Sequence, residues 1–168
     1  SHIDAFCHVS LDNALYNGKS SATVTSEGAE VDAIDVLKDG LVGRGVLLDV
    51  PRLRGVPWLE PGEHVFTEDL EGAERNQGLA VTEGDILLIH TGYHHFGWDM
   101  PTADEIRYMV QHPGPDREFS LWAKRKGIKW IGVDCGSADH PMNTIIRQWM
   151  PRQAKEAEAH FQKKYGTS

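Results

Sequence analysis

The chain has 168 residues, 40% of them hydrophobic and 25% charged, with a formal net charge of −8. That is the length and composition of a single soluble domain spanning 1–168, and acidic residues scattered without a basic stripe argue against nucleic acid as a partner. No apolar run reaches the roughly 20 residues that span a bilayer, and two distant cysteines, Cys7 and Cys135, without CxxC spacing argue against a disulfide framework and for a reducing cytoplasm.

The chain opens on His2-Ile3-Asp4-Ala5-Phe6-Cys7-His8. On an extended strand His2 and Asp4 project from one face, and His8 joins them if the strand continues. Imidazole and carboxylate together suit a borderline divalent cation such as zinc or manganese. The same spacing fits polar residues near a frayed, solvated terminus.

Next comes a helix pattern from Ala29 to Lys38, stopped at Asp39-Gly40. Gly45 to Val50 is a short apolar run bounded by turn residues, as are Asp85 to His90 and Lys129 to Asp134. All three read as strands covered on both faces. Glu68 to Gln77 reads as a helix with Thr67 as N-cap. Thr102-Ala103-Asp104-Glu105 matches a capping box, with Pro113 limiting the helix that follows. Asp116 to Lys126 is a further helix, ending before Gly127. Strands alternating with helices argue an α/β fold.

The last pattern is Arg152 to Tyr165, with Ala154, Ala157, Phe161 and Tyr165 at three- and four-residue spacing and Gly166 as a stop. Its apolar stripe needs cover from this domain, another subunit or a further segment.

Two loops follow strand ends, where α/β proteins place ligands. After the second strand come His90-Thr91-Gly92-Tyr93-His94-His95-Phe96-Gly97-Trp98. They could line a pocket, or form a surface loop with anchored aromatics, which is the reading preferred for His94 and His95. After the third come Asp134-Cys135-Gly136-Ser137-Ala138-Asp139-His140-Pro141. Asp139 and His140 there could bind metal, orient a ligand or cap a turn. Cys7 and Cys135 read as small buried thiols rather than nucleophiles. His64, His112 and His160 have no partner in sequence and read as exposed.

Taken in order, these segments resemble a family. Ser1 to His8 resembles the later part of the H-x-G-[ST]-H-x-D-x-P-x-H signature of the cyclase-like metal hydrolases, which include bacterial kynurenine formamidase and isatin hydrolase. Gly43 to Val50 is similar to the strand that follows it, Gly84 to Gly92 to the GD-apolar-TG strand, and Gly132 to Asp139 to the G-[IV]-D-x-x-S-x-D segment. The resemblance implies a swivelling β/β/α-type fold that assembles as a homo-oligomer, with the chain a central portion trimmed at both ends. It implies hydrolysis of an amide or lactam C–N bond by metal-activated water, with zinc or manganese as cofactor. By position His2 and Asp4 are the metal ligands and His8 the acid/base, since a Lewis-acidic metal activates water and an imidazole can shuttle the proton.

The substrate-facing candidates are Phe6, His90, Tyr93, Ser137 and Asp139. The substrate is a small molecule, and aromatic side chains including Trp58, Phe96 and Trp98 suit an aromatic ring or simple core packing. The chain departs from the family pattern in places. Phe6 stands for the motif's proline, and His90 stands where many relatives have arginine. The motif's first histidine precedes Ser1, and the later histidine and glutamate ligands have no match in Arg152 to Ser168. The rival readings are a non-catalytic module that assembles through the last helix, and a metal-dependent cyclase or lyase acting on a polyketide- or sugar-like substrate.

Overall fold

The computed structural model describes residues 3–98, 108, 110–115, 117–141 and 150–166. The chain forms two compact units, Ser1–Val42 and Gly43–Ser168. Among the described residues, no helix is long and apolar enough to cross a membrane.

The first unit is built from turns. A two-residue hairpin pairs β1 (Val24–Thr25) with β2 (Gly28–Ala29), antiparallel. Short 3-10 turns cover Tyr16–Gly18, Ser21–Thr23 and Ile34–Leu37. The helix expected from Ala29 to Lys38 shrinks to the last of these. Ala29 is in the hairpin, and Asp32 has φ +56°, which an α-helix of L-residues does not contain. The opening strand does not reach His8 either. The His8 amide donates to the Ala5 carbonyl at 2.9 Å, closing a turn, so strand parity cannot place His8 beside Asp4.

The second unit runs β3 (Gly45–Asp49), α1 (Val50–Arg54), β4 (His64–Val65), α2 (Thr67–Gln77), β5 (Ile86–His90), α3 (Tyr93–Trp98), β6 (Gly114–Pro115), α4 (Arg117–Lys126), β7 (Trp130–Val133) and α5 (Pro151–Tyr165). Strands β3, β5 and β7 form a parallel sheet in that order. The three apolar runs are therefore strands, and the mixed α/β class with a parallel sheet is what the sequence pattern requires.

Among the described residues, covering is found on one face of the sheet only. Val46, Leu48, Leu87 and Ile89 point into a core with Leu59, Val65, Leu70, Val81, Phe119 and Trp122. On the other face Leu47 is 46% exposed and Leu88 39%. The strands alternate, as expected of a sheet with one face packed on helices. Gly132 lies on this second face, where a Cβ would meet Leu88 Cδ2 at 2.7 Å.

Helix boundaries follow local chemistry. Asp49 caps α1, its Oδ1 accepting the Arg52 amide at 3.0 Å, with Pro51 in the first turn. In α2 the helix begins at Thr67 itself, and Asp69 Oδ2 accepts the Phe66 amide at 2.8 Å. The cap is thus one residue earlier than Thr67. Lys124, Arg125 and Lys126 crowd the carboxyl end of α4, where the helix dipole favours cations. The Thr102–Glu105 capping box lies outside the described residues.

Part of the stripe of α5 is covered by its own unit, while Tyr165 at its end is 52% exposed. Ala157 is buried, and the Phe161 ring meets Phe66 and His64 edge-on, both at 6.1 Å. Beneath α5 lies a cavity of about 220 Å³ lined by Arg54, Glu63, His64, Phe66, Gln153 and Ala157. At its wall Arg54 is already paired, with Asp69 at 2.6 Å and Glu63 at 3.3 Å.

Candidate functional site at the strand ends

The register of the sheet aligns Asp49 at the end of β3 with His90 at the end of β5. Ile89 pairs with Val133, so Asp134 follows β7 at the same level. Three polar residues therefore meet where three apolar strands stop. His90 Nδ1 is 3.3 Å from Asp49 Oδ1, and its Nε2 is 3.5 Å from Asp134 Oδ2. The short helix α3 adds a fourth group, with His94 Nδ1 3.3 Å from Asp134 Oδ2.

Asp134 is the hub. Its Oδ1 accepts the Thr91 amide at 2.8 Å and the Thr91 hydroxyl at 2.6 Å, and its Oδ2 accepts the Gly92 amide at 2.7 Å. Burial opposes ionisation of this carboxyl, but the Thr91 hydroxyl, the two amides and the neighbouring His90 outweigh it and hold it below the usual carboxylate range. Gly92 is required here. Its φ is +69°, and a Cβ would sit 3.0 Å from the Pro57 carbonyl oxygen.

Chemically, His90, His94 and Asp134 offer two imidazole nitrogens and a carboxylate oxygen within 4.8 Å of one another, a donor set that suits a borderline divalent metal. A second group, Glu68, Glu118 and His160, has the same compactness. Its centre already holds a cation: Lys164 Nζ is 2.6 Å from Glu68 and 2.9 Å from Glu118.

Of the substrate-facing candidates in the second unit, His90 belongs to the strand-end group, whereas Tyr93, Ser137 and Asp139 do not. Tyr93 is fully buried, stacked between Phe96 at 5.2 Å and Tyr108 at 5.0 Å, and is a packing residue. Ser137 and Asp139 are exposed in the loop beyond Asp134. Phe6 is 58% exposed and stacks on Tyr16 at 4.6 Å. Asp4 and His8 are exposed, and His2 lies outside the described residues.

His94, read as a loop residue, is instead turned onto Asp134. Asp49 and Asp134 were missed as site residues. The signal that finds them is the last polar residue of each apolar strand, aligned across the sheet.

Cys135 is a free, half-buried thiol. Burial and the adjacent Asp134 carboxylate push it up to about 12, so it is not a thiolate nucleophile.

The histidines read as exposed are not. His64 and His112 are buried, together with His140. The rings of His64 and His140 stack at 3.6 Å, and His140 Nε2 lies 2.8 Å from the Gly62 carbonyl oxygen. Burial, then the neighbouring His140, His160 and Arg54, pushes His64 down to about 3. Burial pushes His140 down to about 4 against the opposing pull of the Gly62 carbonyl.

No curated protein matches the chain. A crystal structure described as a novel cyclase does, with a TM-score of 0.69 and 30% identity, covering 78% of this chain and 44% of that one. The chain thus spans less than half the length of that cyclase. The profile of the Cyclase family matches residues 1–140, which take in the His2–His8 segment and the ends of β3, β5 and β7. The chain belongs to the cyclase family.

Proposed function

We propose that the protein is a metal-dependent hydrolase that cleaves an amide or lactam C–N bond in a small substrate. His2 and Asp4 hold the metal, zinc or manganese, and His8 handles the proton. The family match over residues 1–140, which includes that opening segment, carries the proposal. When bound, the metal supplies Lewis acidity toward a carbonyl and toward water. The remaining work falls to the chain. His8 is exposed, as a group exchanging protons with water must be, and it would return a proton to the leaving nitrogen. The exposed Phe6 ring, stacked on Tyr16, offers a flat aromatic surface in the same unit, which supports a substrate carrying an aromatic ring.

The open apolar face of the β3-β5-β7 sheet supports the β/β/α arrangement, in which a second sheet covers the first. We further propose assembly as a homo-oligomer, which light scattering of the purified protein tests directly.

The deciding experiment is hydrolysis of an N-formyl aromatic amine and of an aromatic lactam by the full chain loaded with zinc or manganese. His2→Ala and Asp4→Ala should abolish turnover, and His8→Ala should lower it by roughly 100-fold or more. Turnover unchanged in His2→Ala would overturn the metal assignment. Activity confined to ring closure or elimination on polyketide- or sugar-like substrates would move the protein to the cyclase or lyase reading that its family name favours.

A further inference from the structure

We propose that His90, His94 and Asp134 form a divalent metal site of their own, built wholly from the second unit and needing no residue of 1–42. The ligand set that the family resemblance implies draws on His2 and Asp4 and includes none of these three residues. The inference rests on the strand-end geometry alone, and it stands or falls separately from the proposed hydrolysis.

His90 Nε2 and His94 Nδ1 lie 3.5 and 3.3 Å from Asp134 Oδ2. Ligands at about 2.0–2.1 Å from a tetrahedral zinc stand about 3.3–3.4 Å apart. The two separations from Asp134 Oδ2 are close to two edges of such a tetrahedron, and the two imidazole nitrogens lie within 4.8 Å of each other.

The donors are supported from behind. Metal-bound histidine usually donates its other ring N–H to a carboxylate, which fixes the tautomer and the ring. His90 has that arrangement, with Nδ1 3.3 Å from Asp49 Oδ1 and Nε2 facing the other donors. Asp49 is itself held, accepting the Arg52 amide at 3.0 Å while its own amide donates to Gln77 Oε1 at 2.8 Å.

Asp134 also keeps acceptor capacity toward the two imidazoles. From the backbone and the Thr91 hydroxyl, Asp134 Oδ1 accepts two hydrogen bonds and Oδ2 one, the last from Gly92. An ionised carboxylate has about four acceptor positions, so one on Oδ2 remains for the side facing the imidazoles. The side chains are 29%, 42% and 22% exposed, so an ion and its water can enter.

The test uses the full chain, stripped of metal, with His2→Ala and Asp4→Ala introduced together to silence the opening motif. Equilibrium dialysis against zinc, and the visible spectrum with cobalt(II), read the site without any activity assay. One equivalent should still bind, with the intense bands of a tetrahedral cobalt centre. Adding His94→Ala should weaken binding by well over tenfold, and adding Asp49→Asn by about tenfold through His90. In the otherwise native chain, zinc should shift the imidazole nitrogen resonances of His90 and His94, a readout that does not depend on any variant folding. No uptake by the double variant, uptake indifferent to His94→Ala, or resonances that do not move would each overturn the proposal.

Discussion

The Gly92 amide donates to Asp134 Oδ2 at 2.7 Å across 42 residues of sequence, joining the turn after β5 to the end of β7. With the two bonds from Thr91, it makes one carboxylate the lock between two strand ends and the point on which His90 and His94 converge. Asp134→Asn puts an amide nitrogen against backbone donors and removes the charge. The expected cost is about 2–3 kcal/mol, measured by urea unfolding, since hydrogen bonds to a charged group are worth about that much. Thr91→Val, which deletes one of the three bonds, should cost less.

Acid should destabilise the second unit through its buried histidines. His64 and His140 are held down to about 3 and about 4, against an ordinary value near 6.5. Between pH 6.5 and 4 the unfolded chain binds protons that the folded chain refuses. Their contribution is fully present above pH 6.5 and is lost as pH falls toward the folded values, by about 1.4 kcal/mol per pH unit for each ring. Denaturant midpoints taken from pH 7 to pH 5 should fall with pH, and His140→Gln should flatten that slope. An unchanged slope would remove His140 from the account.

The ionic cluster at the end of α5 should be a stability element. Glu118 is buried and takes Lys164 Nζ at 2.9 Å together with the Tyr165 hydroxyl. Burial disfavours its charge, but the bonds from Tyr165 and Lys164 prevail and hold it below the usual range. Lys164→Met leaves that charge without its ammonium and should cost about 1–3 kcal/mol, discounted because Lys164 itself is partly exposed. Glu118→Gln in the same chain should recover part of the loss. Additive losses in the double variant would show that the pair is not coupled.

Cys135 should resist alkylation. A thiol pushed up to about 12 presents almost no thiolate at pH 8. Iodoacetamide should modify it at least ~100-fold more slowly than it does in the unfolded chain, followed by mass spectrometry. Equal rates in the folded and unfolded protein would show the thiol to be ordinary.

Much of the second unit can be read from local pattern. The runs at Val46–Leu48, Leu87–Ile89 and Ile131–Val133 are short, apolar and bounded by turn residues, the pattern of sheet strands, and Gly78, Gly127 and Gly166 stop their helices with positive φ. Local chemistry was a poorer guide in the first unit, where a left-handed Asp32 and the Ala5–His8 turn replace an expected helix and strand.

Side-chain periodicity and turn chemistry act over a few residues, so the sequence by itself determined the strands of the second unit, their parallel α/β class and the helix stops. It could not place Asp49, His90, His94 and Asp134 together, because that depends on the register of three strands separated by some forty residues each. Nor could it bury His64 against His140, a contact made when β6 pairs with β4 on one side and its Pro115 carbonyl accepts the His140 amide, from the loop after β7, at 2.7 Å. Spacing along the chain proposes donors, and only the tertiary fold decides which of them face one another.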